Sequence, residues 1–164
     1  TELLEQNDGF DVFVVASGSG ATHAGLLAGL RDSGSKAGVI GSCVRRDAAL
    51  QGPRIERVLK RLGDLYTPAN NVTKKDIRVW DGALAPGYGR IGQRSLEAIR
   101  LMASLEGLFL DPVYTAKSFS AIPSLVETGD IPTGARVCFV HTGGLAALYA
   151  YEDQLAHMLG VQGP

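Results

Sequence analysis

Residues Val14-Val15-Ala16-Ser17-Gly18-Ser19-Gly20-Ala21-Thr22-His23-Ala24-Gly25 decide how this chain reads. An apolar run stops abruptly in a Gly/Ser loop, and a helical pattern starts at once. That order puts free backbone N–H groups, with hydroxyls beside them, at a helix N-terminus. Hydrogen bonds and the helix dipole together make such a terminus attractive to a phosphate. No second dinucleotide-type glycine fingerprint and no acidic ribose partner accompany it, so the expected guest is a single phosphate. The competing reading is an ordinary strand-to-helix turn that uses glycine for shape alone.

Outward from this stretch, strands and helices alternate. Residues 10–16 read as a buried strand and 22–31 as a helix with Ala24, Leu27 and Ala28 on one face, where Gly25 and Gly29 could allow close approach to a sheet. Residues 37–41 form a second strand. Pro53 is expected to open a helix carrying Ile55, Val58, Leu59 and Leu62 inward, with Glu56, Arg57, Lys60 and Arg61 in solvent. A third strand is expected at 77–80, a Gly-rich loop at 81–92, a helix at 95–105 and a short fourth strand at 108–110. Residues 115–126 read as a helix that Pro123 must kink or end early. The last strand covers 137–140, and a second polar turn, His141-Thr142-Gly143-Gly144, leads into a closing helix at 145–159. The alternation predicts an α/β fold with a mostly parallel sheet flanked by helices on both faces. Ligands of such sheets bind beyond the carboxyl ends of the strands, where both Gly-rich turns fall. Without repeats or linkers, residues 1–164 read as a single domain.

With 164 residues, 45% apolar and 20% charged, the chain can bury a real core. Its net charge of -1 and lack of long basic runs argue against nucleic acid. No apolar stretch approaches the roughly 20 residues of a membrane span. The acidic start Thr1-Glu2-Leu3-Leu4-Glu5 is unlike a signal peptide, and Cys43 and Cys138 lack metal-ligand spacing, so a reduced, cytoplasmic setting is expected. His23, His141 and His157 are too scattered for a metal site. A start at Thr1 in place of Met suggests a piece of a longer polypeptide.

Other polar residues carry two readings each. Thr142 suits a helix N-cap or a ligand's polar atom. Tyr88 and Tyr114 sit in polar surroundings, where a ring faces a ligand or is half-buried for packing. Lys117 lacks an evident low-dielectric pocket, so a structural ion pair is the expectation. Arg45 and Arg46 could meet an anionic substrate, with a solvated or inter-subunit role favoured.

Four segments, VVASGSGATHAG (14–25), APGYG (85–89), LEAIRLMASLEGLFLDPVYTAK (96–117) and HTGG (141–144), together resemble the D-cysteine desulfhydrase and 1-aminocyclopropane-1-carboxylate deaminase family. The resemblance implies a tryptophan synthase β-like fold of type II and pyridoxal 5'-phosphate as cofactor. It implies cofactor contacts from Ser17, Gly18, Ser19, Gly20, Ala21 and Thr22 to the phosphate, and from Thr115, Thr142 and Gly143 nearer the ring. Tyr114 would lie against the ring and Tyr88 would face the substrate, the two being the catalytic candidates. Tyr114-Thr115 and His141-Thr142-Gly143-Gly144 are similar to the desulfhydrases, whereas the deaminases look like Tyr-Glu and His-Leu-Gly-Gly. A neutral hydroxyl near the pyridine nitrogen makes the ring a weaker electron sink than a carboxylate would. Expulsion of a good sulfur leaving group tolerates that better than cyclopropane opening does.

The implied activity is a carbon–sulfur lyase converting D-cysteine to pyruvate, ammonia and sulfide. L-cysteate sulfo-lyase and the cyclopropane deaminase are rivals, and a non-catalytic domain binding a phosphorylated metabolite is the alternative of another class. The implied assembly is a homodimer. The match covers only the C-terminal half of the family. None of Lys36, Lys60, Lys74, Lys75 and Lys117 aligns with the Schiff-base lysine, so the chain is expected to hold the cofactor-cradling half without that nucleophile.

Overall fold

A computed structural model describes residues 2–7 and 9–160, so Thr1, Asp8 and 161–164, which the expected domain included, lie outside the described residues. The elements are α1 (Glu2–Gln6), β1 (Val12–Ser17), α2 (Ala21–Asp32), β2 (Gly38–Cys43), α3 (Ala48–Gly63), β3 (Arg78–Trp80), α4 (Gln93–Glu106), α5 (Thr115–Phe119), α6 (Ala121–Glu127), β4 (Val137–Phe139), α7 (Ala147–Ala150) and α8 (Glu152–Leu159). The four strands form one parallel sheet in the order β3-β2-β1-β4.

The central place of β1 explains its unbroken apolar run. Val14 lies beside Ile40 of β2 and Phe139 of β4, and both faces of the strand are covered. Phe13 and Val15 pack with Ala24, Leu27 and Leu30 of α2 and with Ile55 and Leu59 of α3. Val12 and Val14 face the other way, with Ile40, against Ala121 and Leu125 of α6 and against Ile131. A third cluster gathers Leu96, Ile99 and Met102 of α4 around Leu110, Ala116 and Leu155. Each fully buried side chain of this size contributes about 1.5–3 kcal/mol. These layers fix the carboxyl ends of β1 and β4 side by side, with α2 starting directly above β1.

Local chemistry moves several boundaries. α3 opens at Ala48, five residues before Pro53, because the Asp47 carboxylate caps it by accepting the Leu50 N–H at 2.9 Å. Such a cap is worth about 1 kcal/mol. Pro53 inside the helix leaves the Ala49 carbonyl without its usual donor, and Ala49 is exposed, so water can satisfy it. The expected helix at 115–126 is two helices broken at Ser120; Pro123 cannot donate to the Phe119 carbonyl and sits instead in the first turn of α6. The expected strand at 108–110 does not form. The Leu108 N–H bonds the Met102 carbonyl at the end of α4, and the Phe109 carbonyl accepts from His141, so these groups are spent outside the ladder. The closing helix is interrupted at Tyr151, and Thr142 caps nothing, since α7 begins only at Ala147. Gly25 and Gly29 do not bring α2 onto the sheet: a Cβ at either would meet nothing within 4 Å.

Candidate functional site

The Gly/Ser loop emerges from β1 with its carbonyls turned toward α3. Arg46 Nη1 donates to the Gly18 carbonyl at 2.8 Å, Gln51 Nε2 to the same carbonyl at 3.3 Å, and Arg54 Nε to the Ser19 carbonyl at 2.7 Å. Among the described residues, no acceptor bonds the backbone N–H of Gly18, Ser19, Gly20 or Thr22. Donors left free at the start of a 12-residue helix, with guanidinium groups behind them, form an anion cradle. Gly20 makes the bend possible: its φ is +92°, and a Cβ there would lie 2.8 Å from Ile55 Cδ1.

A buried relay supports the loop. Gln51 Nε2 donates to Ser17 Oγ at 2.9 Å, and Ser17 Oγ lies 3.2 Å from His23 Nδ1. Gln51 occupies one acceptor site on the hydroxyl, and the hydroxyl shares a second hydrogen bond with Nδ1. Burial without compensation pulls His23 down to about 4, so the ring is neutral at pH 7. Gly41 makes room for it, since a Cβ there would lie 2.2 Å from Nδ1. The Ser17 hydroxyl is therefore held inside the protein, whereas Ser19 and Thr22 are exposed.

The second turn meets the first across the β1–β4 seam. A cavity of about 280 Å³ is walled by Ala16, Gly18, Ser19 and Thr22 on one side and by Thr142, Gly143 and Gly144 on the other, with Tyr114 completing it. Gly20 is buried and Ala21 exposed beside this wall. His141 shapes the second turn: Nε2 donates to the Phe109 carbonyl at 2.9 Å, and the Gly143 N–H donates to Nδ1 at 3.3 Å.

Tyr114 is aimed by Asp111. This buried carboxylate accepts the N–H groups of Val113, Tyr114 and Thr115 at 2.8–2.9 Å and the Thr115 hydroxyl at 2.7 Å. The Thr115 side chain is thereby fully buried and committed to Asp111, away from the cavity wall. Tyr88, from the 81–92 loop, meets Tyr114 hydroxyl to hydroxyl at 2.5 Å. That hydrogen bond, with desolvation adding, raises Tyr114 above the ordinary phenol range, so it stays protonated at neutral pH. Arg45 lies 5.8 Å from the Tyr88 ring centre. Among the described residues Lys117 makes no ion pair, contrary to the sequence expectation: its buried ammonium donates to the carbonyls of Leu84 and Gly87 at 3.0 and 2.7 Å. Desolvation lowers it below the ordinary lysine value.

Sequence reading thus missed Gln51, Arg54, Asp111 and the supporting role of His23. Only Asp111, three residues before Tyr114, carried a signal there, as an acidic residue at a helix start. Burial, with Asp81 and Asp47 adding, pushes the Cys43 thiol up to about 12, which removes it as a nucleophile. Among the described residues no cluster of His, Cys, Asp and Glu could hold a metal, and no helix is long and apolar enough to cross a membrane.

The chain is similar to known proteins over most of its length. The sequence model described as "Pyridoxal-phosphate dependent enzyme" matches residues 1–143. D-cysteine desulfhydrase of Yersinia pestis (strain Pestoides F) is 38% identical over 149 residues, 91% of this chain and 44% of the relative. The Klebsiella pneumoniae (strain 342) desulfhydrase is 38% identical over 160 residues, covering 94% and 47%. That of Salmonella paratyphi C (strain RKS4594) is 40% identical over 148 residues, covering 90% and 44%. A structure titled as an ACC deaminase homologue superposes with a TM-score of 0.77 at 30% identity, covering 94% of this chain and 45% of that one. The chain spans about half the length of these relatives. The fold is the fold-type-II, tryptophan synthase β-like architecture. The chain belongs to the pyridoxal-phosphate dependent enzyme family.

Proposed function

We propose that residues 1–164 act as one domain, the phosphate- and ring-holding half of a lyase that eliminates sulfide from D-cysteine. The observation that carries this reading is the single cavity where Gly18, Ser19 and Thr22, with their unbonded amides, the Thr142 turn and Tyr114 converge. The amides of Gly18, Ser19, Gly20 and Thr22, with the exposed Ser19 and Thr22 hydroxyls, would hold the phosphate of pyridoxal phosphate. Gly143 lines the wall with Ala21 beside it, Thr142 would offer a hydroxyl to the ring nitrogen, and Tyr114 would stand against the ring. Thr115 acts indirectly, through the Asp111 cap that sets Tyr114.

When bound, the cofactor supplies the electron sink for loss of the substrate α-proton and departure of the β-sulfur. Tyr114 and Tyr88 share one short hydrogen bond, so one proton can be held between their oxygens and offered at the substrate end of the cavity. The neutral hydroxyl of Thr142 suits a good leaving group. The named activity of the three relatives supports this choice over the deaminase. A homodimer in the cytoplasm is part of the same reading; light scattering on the full-length protein tests the assembly.

The decisive experiment assays the full-length protein on D-cysteine, L-cysteate and 1-aminocyclopropane-1-carboxylate. Release of sulfide and pyruvate from D-cysteine is the expected result. Rapid turnover of the cyclopropane amino acid alone refutes the use made of Thr115 and Thr142. A preference for L-cysteate moves the leaving group to sulfite.

A further inference from the structure

Lys117 is a fully buried cation for which the proposed chemistry has no use. Its surroundings explain it. The side chain leaves α5, three residues after Tyr114, and donates to the carbonyls of Leu84 and Gly87. Those two carbonyls belong to the loop whose next residue is Tyr88, and Tyr88 in turn bonds Tyr114. The α5 helix and the 81–92 loop are therefore tied twice, at the base by Lys117 and at the tip by the two phenols. The backbone of α5 is itself anchored to the sheet, since Ser42 Oγ donates to the Lys117 carbonyl at 3.0 Å. On the far side of Tyr88, the Tyr151 hydroxyl donates to the Gly89 carbonyl at 2.6 Å. Tyr88 is thus flanked by two held carbonyls, although its own side chain is half exposed.

A buried ammonium with only neutral acceptors is costly to keep. The arrangement returns a fixed distance between α5 and the loop, which a methyl-tipped side chain could not supply. Two of the three ammonium N–H donors are matched to the two carbonyls, and a neutral amine would still hold two. Hydrogen bonding to the loop, not charge, is the property used.

We infer that Lys117 is a positioning residue that sets Tyr88 against Tyr114 at the substrate end of the cavity. This rests on the reading of the two tyrosines given under the proposed function, and the test separates the two. In the full-length holoprotein, tyrosines are labelled at the ring carbon bearing oxygen and followed by NMR, with Tyr88→Phe and Tyr114→Phe assigning the signals. Lys117→Met is expected to return the titration of Tyr114 toward that of a free phenol, as Tyr88→Phe does, while Lys117→Arg keeps it raised. An unchanged Tyr114 titration in folded Lys117→Met overturns the inference, whatever the enzyme's activity.

The kinetic arm is a double-mutant cycle. Lys117→Met is expected to lower kcat/KM on D-cysteine at least tenfold alone and less than twofold further in the Tyr88→Phe background. Multiplying losses overturn the inference, because they mean Lys117 does not act through Tyr88. Full activity of Tyr88→Phe would instead sink the substrate-facing role of Tyr88 and leave the NMR arm to decide on Lys117. Should Lys117→Met fail to fold, Lys117→Leu, which likewise offers no N–H donor, carries both measurements with the same expected and refuting results.

Discussion

Lowering the pH should drain stability through one buried imidazole. His23 is wholly buried between Ser17 and Gly41, and its Nε2 has no partner among the described residues. Desolvation takes it from an ordinary 6.5 to about 4 in the folded protein. The folded value lies below the unfolded one, so between the two the unfolded chain binds more protons. Stability is then complete above about pH 6.5 and is lost as the pH falls toward about 4. Each unit of separation corresponds to 1.36 kcal/mol, which makes the whole loss about 3 kcal/mol. The total stability of a domain is only about 5–15 kcal/mol, so the effect is large.

The assay is urea unfolding, followed by fluorescence of the only tryptophan, Trp80 of β3, from about pH 7.5 to about pH 4.5. A His23→Gln variant cannot titrate, yet it still offers Ser17 an acceptor. Its stability should fall by about 2.5 kcal/mol less than that of the natural sequence across the same window, which stops short of the folded value. Identical pH dependence in the two proteins refutes the reasoning, because other groups would then account for the slope.

Two further outcomes are expected from the same neighbourhood. Gly41→Ala places a Cβ 2.2 Å from His23 Nδ1 and 2.8 Å from Ser17 Cβ. Overpacking of this kind costs about 1–3 kcal/mol, and His23→Ala in the same chain should recover part of it, as read by urea midpoints. Arg46→Met removes the guanidinium from the Gly18 carbonyl, a hydrogen bond to a charged group worth about 1.5–3 kcal/mol. Cofactor affinity of the full-length protein, titrated by fluorescence, should fall about tenfold or more while circular dichroism stays unchanged; undiminished affinity means the loop needs no support from Arg46.

The sequence by itself determined the layered fold and where its site lies. An apolar run that ends in Ser17-Gly18-Ser19-Gly20 can only be a covered strand leading into a helix start, because local hydrophobic period and glycine placement act within a few residues. The same local logic marked His141–Gly144 and set both turns at one edge of a parallel sheet. What lay beyond the sequence was decided by contacts across distances of thirty residues or more. Whether 108–110 joined the sheet depended on His141 taking the Phe109 carbonyl. The inward fate of the Ser17 hydroxyl depended on Gln51, and that of Lys117 on two carbonyls of the 81–92 loop. Hydrogen-bond partners of buried polar groups are chosen by packing, since each must be satisfied wherever the chain folds back, and no local pattern encodes which distant carbonyl will be there.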